Sequence, residues 1–417
     1  MGAFDALSVW RAADFRGSLG WYRAVAANRL PAKFRILASL PARCALDAPE
    51  PELWQALDAA TGEFLPLRER IRSGEAALAA AARPPSALDL VAELGRRMLA
   101  HCNFCRWDCR VDRTRGAKLG VCKLGSETRV SAWFHHHGEE LVYRGREGSG
   151  TIFFTSCNMR CAFCQNGDIS TDRWNGEPAS ARTLAAMAWL LRTEGCHNIN
   201  WVGGDPTVHL HTILEAIAWL ARDRPRSEDL GSARATKAAG FARFALRPEA
   251  ACDDGAFNAP MLWNSNFYMS AEAMKLLRLT MDVWLPDFKF GPGRCALELA
   301  RTGAYWETVT QNLLRLREWG EDFTIRHLVM PAHVECCTIP VLDWIAQEMP
   351  EAPVNIMDQY RPEHACDPGS PLFRERYRPL ARWPSRAELA AAFAHARSRR
   401  LRFEALSSER SRTWAGL

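Results

Sequence analysis

The chain has 417 residues, a formal charge of +5 and 48% hydrophobic residues, which is enough length for a barrel with appendages rather than one minimal domain. No run approaches the ~18 apolar residues of a membrane span, and the charge is spread through the chain, so neither a membrane nor a nucleic acid is an expected partner. Fourteen cysteines behind a start that lacks a charged n-region and an apolar h-region (MGAFDALSVWRAADF) argue against a secreted disulfide framework and for reduced, metal-binding thiols in the cytoplasm.

Residues 1–100 are rich in Trp and Ala and predict an α-helical appendage that ends in a helix over 87–100, opened by Pro84-Pro85. Residues 101–149 form a cysteine-rich segment in which Cys102, Cys105, Cys109 and Cys122 lie within about twenty residues around a Gly-bearing loop. Four soft ligands at this spacing suit an auxiliary [4Fe–4S] cluster that relays electrons or a structural Zn(Cys)4 site. A loop with free thiols is the third reading, and the cluster is preferred.

The apolar run 150–156 (GTIFFTS) reads as a buried strand and leads into Cys157, Cys161 and Cys164 at CxxxCxxC spacing. Three thiolates can hold three irons of a [4Fe–4S] cube and leave the fourth without a protein ligand. A structural zinc site or unrelated thiols would be the alternatives, but zinc knuckles usually pair CxxC with a second pair.

On this motif the chain resembles the radical S-adenosylmethionine (SAM) superfamily, in which SAM chelates the open iron and one electron cleaves its sulfonium to a 5′-deoxyadenosyl radical. With the upstream cysteines it is similar to the branch of pyruvate formate-lyase activating-enzyme-like proteins. The resemblance implies a partial (β/α)6 barrel over 150–405 and a reductant such as flavodoxin or ferredoxin. It places Phe163 near the adenine and makes Gly203, Gly204, Asp205, Pro206 and Thr207 (GGDPT) the counterpart of the GGE motif that contacts the methionyl amine, with Asp205 where Glu is usual. As an isolated pattern GGxP would be a plain turn.

Downstream, strands over 197–203, 260–266, 283–290, 323–330 and 354–360 alternate with amphipathic helices over 181–193, 212–222, 271–279, 305–319, 339–348 and 386–398, which implies parallel strands with right-handed crossovers. The fold class is α/β. Polar groups gather at strand ends: Asn264, Asn266, Asp287, Lys289, Arg326, His327, Asn355, Asp358 and Gln359. Period-two alternation turns half of such residues inward. The resemblance makes Asn264, Asn266, Asp287 and Lys289 candidate SAM contacts, with His327 and Gln359 toward adenine or substrate, although a lone strand His is more often a satisfied core residue.

Cys336 and Cys337, after the fifth of these strands, are expected at the barrel mouth as a hydrogen-atom donor, substrate anchor or redox pair. Cys44, Cys196, Cys252, Cys295 and Cys366 carry no metal signal in their spacing. A polar stretch, 224–258, interrupts the barrel as an insertion too long for an ordinary loop, and 406–417 reads as a tail. The expected activity is abstraction of a hydrogen atom from a partner protein, as in activation of a glycyl radical enzyme. Radical modification of a small metabolite or peptide is the alternative, and a non-catalytic iron–sulfur scaffold is disfavoured because it has no use for the GGDPT turn.

Overall fold

The computed structural model describes residues 17–236, 251–253 and 255–407, together with residues 10, 12 and 15. Residues 237–250 and 254 of the insertion and 408–417 of the tail lie outside it. Four strands, β2 (Ser149–Phe154), β3 (Ile199–Gly203), β4 (Met261–Ser265) and β5 (Val283–Pro286), pair in parallel in that order. Parallel bridges from Trp284 to Phe323 and from Asp287 to Arg326 carry the arc to β6 (Ile325–Leu328), which pairs in parallel with β7 (Val354–Met357). Helices α5 (Ala181–Thr193), α6 (Leu210–Arg222), α7 (Ala271–Arg278), α8 (Tyr305–Glu318), α9 (Ile339–Glu348) and α10 (Arg386–Ser398) each follow one strand. The result is an α/β partial barrel of six βα units.

Local chemistry explains why the elements start where they do. Ser180, Ser270 and Ser385 cap α5, α7 and α10 by accepting the backbone N–H three residues on, which satisfies an amide the helix cannot. Strands β4 and β5 are buried at every position, as expected where helices cover a parallel sheet. The sequence reading missed β1 (Arg129–His136), which runs antiparallel to β2 and has the two-residue strand Glu177–Pro178 on its other edge. A register shift between Val130 and Ala132 breaks the alternation that would have revealed it.

The N-terminal helices α1 (Gly20–Ala26), α2 (Lys33–Ala38), α3 (Glu50–Ser73) and α4 (Ala87–Arg97) share the main hydrophobic core with the barrel. They grip the residues that enter β5 and β6. Asp282 accepts Trp21 Nε1 at 2.7 Å, Lys33 N at 2.9 Å and Met261 N at 2.9 Å. Lys33 forms a buried ion pair with Glu321, which also accepts Arg68 Nη1 at 3.3 Å and Trp284 Nε1 at 3.1 Å. These contacts close the N-terminal end of the strands, the face that in parallel barrels serves stability.

Glu321 should therefore be a stability hub. Glu321→Ala leaves the Lys33 ammonium buried without its partner, and breaking such a pair costs about 3–5 kcal/mol. Urea denaturation should show a loss of that size, with much of it recovered in Lys33→Met/Glu321→Met. A loss under ~1 kcal/mol, the value of a surface pair, would mean the contact is solvent-screened.

Candidate active site

The chain leaves β2 through Ser156, whose φ is 61°, and enters the cysteine loop. That loop is pinned from several sides. Ser156 N donates to Ile169 O at 2.8 Å, Arg160 N to Ala300 O at 3.1 Å and Ala162 N to Leu299 O at 2.7 Å. Met159 N and Asn266 Nδ2 donate to Cys157 Sγ at 3.3 and 3.4 Å, and Cys164 Sγ lies 3.3 Å from Ser170 Oγ. Cys157, Cys161 and Cys164 all line one cavity of about 520 Å³ at the C-terminal ends of the strands. Burial pushes all three thiols up, Cys157 well above the usual thiol range and Cys161 to about 12 despite the nearby Lys289 charge. Without a metal they stay protonated; a metal would displace those protons.

The Gly203-Gly204 turn lies against this loop. A Cβ on Gly203, where φ is +126°, would stand 2.1 Å from Phe154 N, and one on Gly204 would stand 1.9 Å from Ser156 O. Gly204 N and Asp205 N donate to Phe154 O and Ser156 O at 2.8 and 2.9 Å. The glycines are thus demanded first by the neighbouring backbone, and only then leave a wall free of side chains. Asp205 is buried, accepting Thr207 N and Asn266 N at 2.9 Å each. Burial raises its carboxyl to about 6 although both bonds pull it down.

Gly203, Gly204, Asp205, Phe163, Asn264, Asn266, Asp287, Lys289 and Gln359 line the same cavity as the three cysteines. Asn264 Nδ2 is buried without a partner. The side chain of Asn266 also holds Cys157 and Asn158. Lys289 and Asp287 form an ion pair.

Five of the predicted residues do not line it. Pro206 opens a 3₁₀ turn that Asp205 caps, and Thr207 lies within that turn, buried. His327 is fully buried and bonded on both ring nitrogens, to Phe288 O at 2.8 Å and Thr338 Oγ1 at 2.9 Å. Its position on β6 faces it into packing, and burial lowers its pKa to about 4. Cys337 is buried, and Cys336 is exposed on a turn away from the cavity, 3.5 Å from Cys295 Sγ. The loop that carries the pair lies against Gly291, and neither Cys336 nor Cys337 lines the cavity, contrary to their expected place there.

Sequence reasoning named Arg326, Asn264 and Asn355 only as polar groups at strand ends and missed Glu139 and Glu140, the acidic partners that join them into a wall. Arg326 donates to Glu140 Oε1 and Oε2 at 2.8 and 2.6 Å and to Glu139 Oε2 at 2.6 Å. It also reaches Asn264 Oδ1 at 3.3 Å, while Asn355 Nδ2 donates to Glu140 at 2.7 Å. Burial alone would raise the Glu139 carboxyl, but Arg326 and His136 outweigh it and hold the group at about 2. The only signal was the Glu-Glu pair after the histidines of β1, a strand that was itself unrecognised.

Cys102, Cys105, Cys109 and Cys122 line a second, small cavity together with Arg113. Buried Arg113 donates to Gly125 O and to Val208 O at 2.9 Å and stands 3.9 Å from Cys102 Sγ. This segment touches the cysteine loop directly: Trp107 Nε1 donates to Asn158 O at 2.7 Å, and Arg160 donates to Val121 O.

Residues 151–345 match the family model described as Radical SAM superfamily. The uncharacterized protein MJ0674 of Methanocaldococcus jannaschii is 35% identical over 285 residues, 67% of this chain and 72% of that protein. Streptococcus suis SuiB bound to its precursor peptide SuiA gives a TM-score of 0.39, and SuiB bound to S-adenosylmethionine 0.38, both at 12% identity. These matches cover 60% and 58% of this chain, which spans less than half of either structure, 46% and 45%. The chain belongs to the radical SAM superfamily, whose cofactors are a [4Fe–4S] cluster and SAM. Among the described residues no helix is long and apolar enough to cross a membrane.

Two outcomes follow from this geometry. Gly204→Ala drives a methyl into the Ser156 carbonyl, a backbone atom that cannot step aside without moving Cys157. Iron retained after reconstitution should fall sharply, whereas Gly62→Ala, with open space around it in α3, should gain about 0.5–1 kcal/mol in stability. Equal iron in Gly204→Ala and the native chain would show that the two loops are not held together.

The second concerns pH. His327 has a depressed folded pKa, so the unfolded chain binds more protons between about 4 and 6.5 and stability rises with pH there, by at most about 1.4 kcal/mol per unit. His327→Gln should lose that slope. Urea midpoints at pH 5 and 7 should differ less in the variant than in the native chain, and an unchanged difference would place the imidazole in solvent.

Proposed function

We propose that this chain cleaves SAM reductively and that the resulting 5′-deoxyadenosyl radical takes a carbon-bound hydrogen atom from a substrate held in the 520 Å³ cavity, leaving the radical on the substrate carbon. The observation that carries this reading is the convergence of Cys157, Cys161 and Cys164 with the Gly203-Gly204-Asp205 turn on one cavity wall. When bound, the cluster and SAM supply one-electron homolysis of the sulfonium. The chain's own residues bind and orient. Three thiols that line the cavity offer one donor each to a cluster and leave one iron for a ligand that is not protein. Asp205 and the bare backbone of Gly203 and Gly204 suit an amino-acid headgroup, Asn264 Nδ2 offers an unpaired donor, and Lys289 offers positive charge beside Cys161. Phe163, packed on Phe290 and Tyr360 at 5.9 and 6.1 Å, gives an apolar face for a planar base.

The branch resemblance implies that a glycyl hydrogen atom is abstracted from a partner protein, leaving the radical on the glycyl carbon. The charged wall of Arg326, Glu139 and Glu140 favours a different receiver, a small polar metabolite or peptide, because buried charges on a cavity wall are suited to ionic groups of a ligand. A glycyl-radical EPR signal from a mixture with a partner protein would restore the first receiver. Cys102, Cys105, Cys109 and Cys122 are proposed to hold a second [4Fe–4S] cluster, supported by the contact of Trp107 with Asn158, which places the segment beside the first site. Electrons would come from a reductant such as flavodoxin or ferredoxin.

The test is 5′-deoxyadenosine formed from SAM and dithionite by the anaerobically reconstituted protein. The native chain should form it, and Cys157→Ala/Cys161→Ala/Cys164→Ala should not. Cleavage by that variant would overturn the assignment. Roughly four irons should remain on the variant if the upstream thiols hold a cube; no iron, with one zinc that is lost when Cys102 and Cys105 are also replaced, would make that site structural.

A further inference from the structure

Among the described residues, the ligating atoms of Cys295, His333 and Cys336 lie within 4.8 Å of one another. Their spacing in the chain gives no hint of this, since Cys295 opens a short helix (Cys295–Ala300) after β5 while His333 and Cys336 belong to the loop and turn after β6. The fold brings the two loops together at Gly291, where a Cβ would stand 2.1 Å from Cys336 O.

We propose that Cys295, His333 and Cys336 form a zinc site with three protein ligands, separate from both cysteine groups of the radical chemistry. Zn–S bonds of about 2.3 Å in tetrahedral geometry put two sulfurs about 3.7–3.8 Å apart. Cys295 Sγ and Cys336 Sγ are 3.5 Å apart. Thiolates on an iron–sulfur cube each take a different iron and stand further from one another, so this spacing fits one ion. The histidine is prepared as well. Its Nδ1 lies 2.9 Å from Pro331 O, and a carbonyl can only accept, so Nδ1 carries the proton and Nε2 keeps its lone pair for a metal, the arrangement usual for metal-bound imidazoles. Two thiolates and an imidazole are a donor set that suits zinc. Cys336 is exposed, which gives an ion an entry path and leaves the fourth position toward solvent.

The site would clamp the loop after β5 to the loop after β6. The same short helix, at its other end, accepts the Arg160 and Ala162 amides through Ala300 and Leu299, so the clamp bears on the loop that carries Cys157, Cys161 and Cys164.

The test uses the full-length, anaerobically reconstituted protein, incubated with zinc and desalted, with zinc and iron measured together. About one zinc per chain is expected at this site, absent from His333→Gln and from Cys295→Ser/Cys336→Ser while iron is unchanged. Peptide mapping after iodoacetamide should show Cys336 alkylated about tenfold more slowly in the zinc-loaded native protein, because the free thiolate is the reactive form. Zinc retained by both variants would locate it at other thiols, and no zinc in the native protein, or a Cys295–Cys336 disulfide found there, would equally overturn the proposal.

Discussion

The site depends on a close approach of two backbones. The turn at Gly203 and Gly204 lies so near Phe154 and Ser156 that no side chain fits between them, and two amide hydrogen bonds join them. Parallel pairing of β2 with β3 brings the strand ends level, and the glycines convert that register into contact between the cysteine loop and the Asp205 turn. Asn266 then bonds both Asp205 and Cys157, so three successive strand ends act as one rigid wall. Cluster ligands and headgroup contacts have to be held at short range for any chemistry that joins them.

Charge is distributed with equal economy. At the closed end of the strands, Asp282 and Glu321 neutralise amides, an indole and Lys33 from the N-terminal helices. At the open end, Lys289 faces Cys161 while Arg326 holds Glu139 and Glu140 across the cavity. Buried ionic groups cost desolvation unless each has a partner, and each of these has one. The upstream cysteines sit behind the same wall, with Arg113 tying Cys102 to Val208 just past the Asp205 turn.

Much of the barrel was legible. Helices over 181–193 and 386–398 have the bounds expected from their pattern, because an amphipathic stripe and a serine cap are both local properties, and 339–348 keeps its expected bounds without a side-chain cap. The strands were found because burial on both faces leaves a continuous apolar run. β1 escaped because its bulge disturbs the alternation and one face is only half-buried. His327 and Cys337 were read as functional because polar and thiol groups at strand ends look alike in sequence; burial and satisfied bonds distinguish them only in three dimensions.

By itself the sequence determined the class of chemistry, since CxxxCxxC after a buried strand and two glycines one strand later are short-range patterns whose meaning survives without a fold. It also determined the strand–helix alternation. Only the tertiary structure decided which polar residues face the cavity, that Glu139 and Glu140 join Arg326 from far along the chain, and that Cys295 meets His333 and Cys336. Those pairings depend on strand order and loop direction, and residues 41 positions apart become neighbours only when parallel strands set their C-terminal ends side by side.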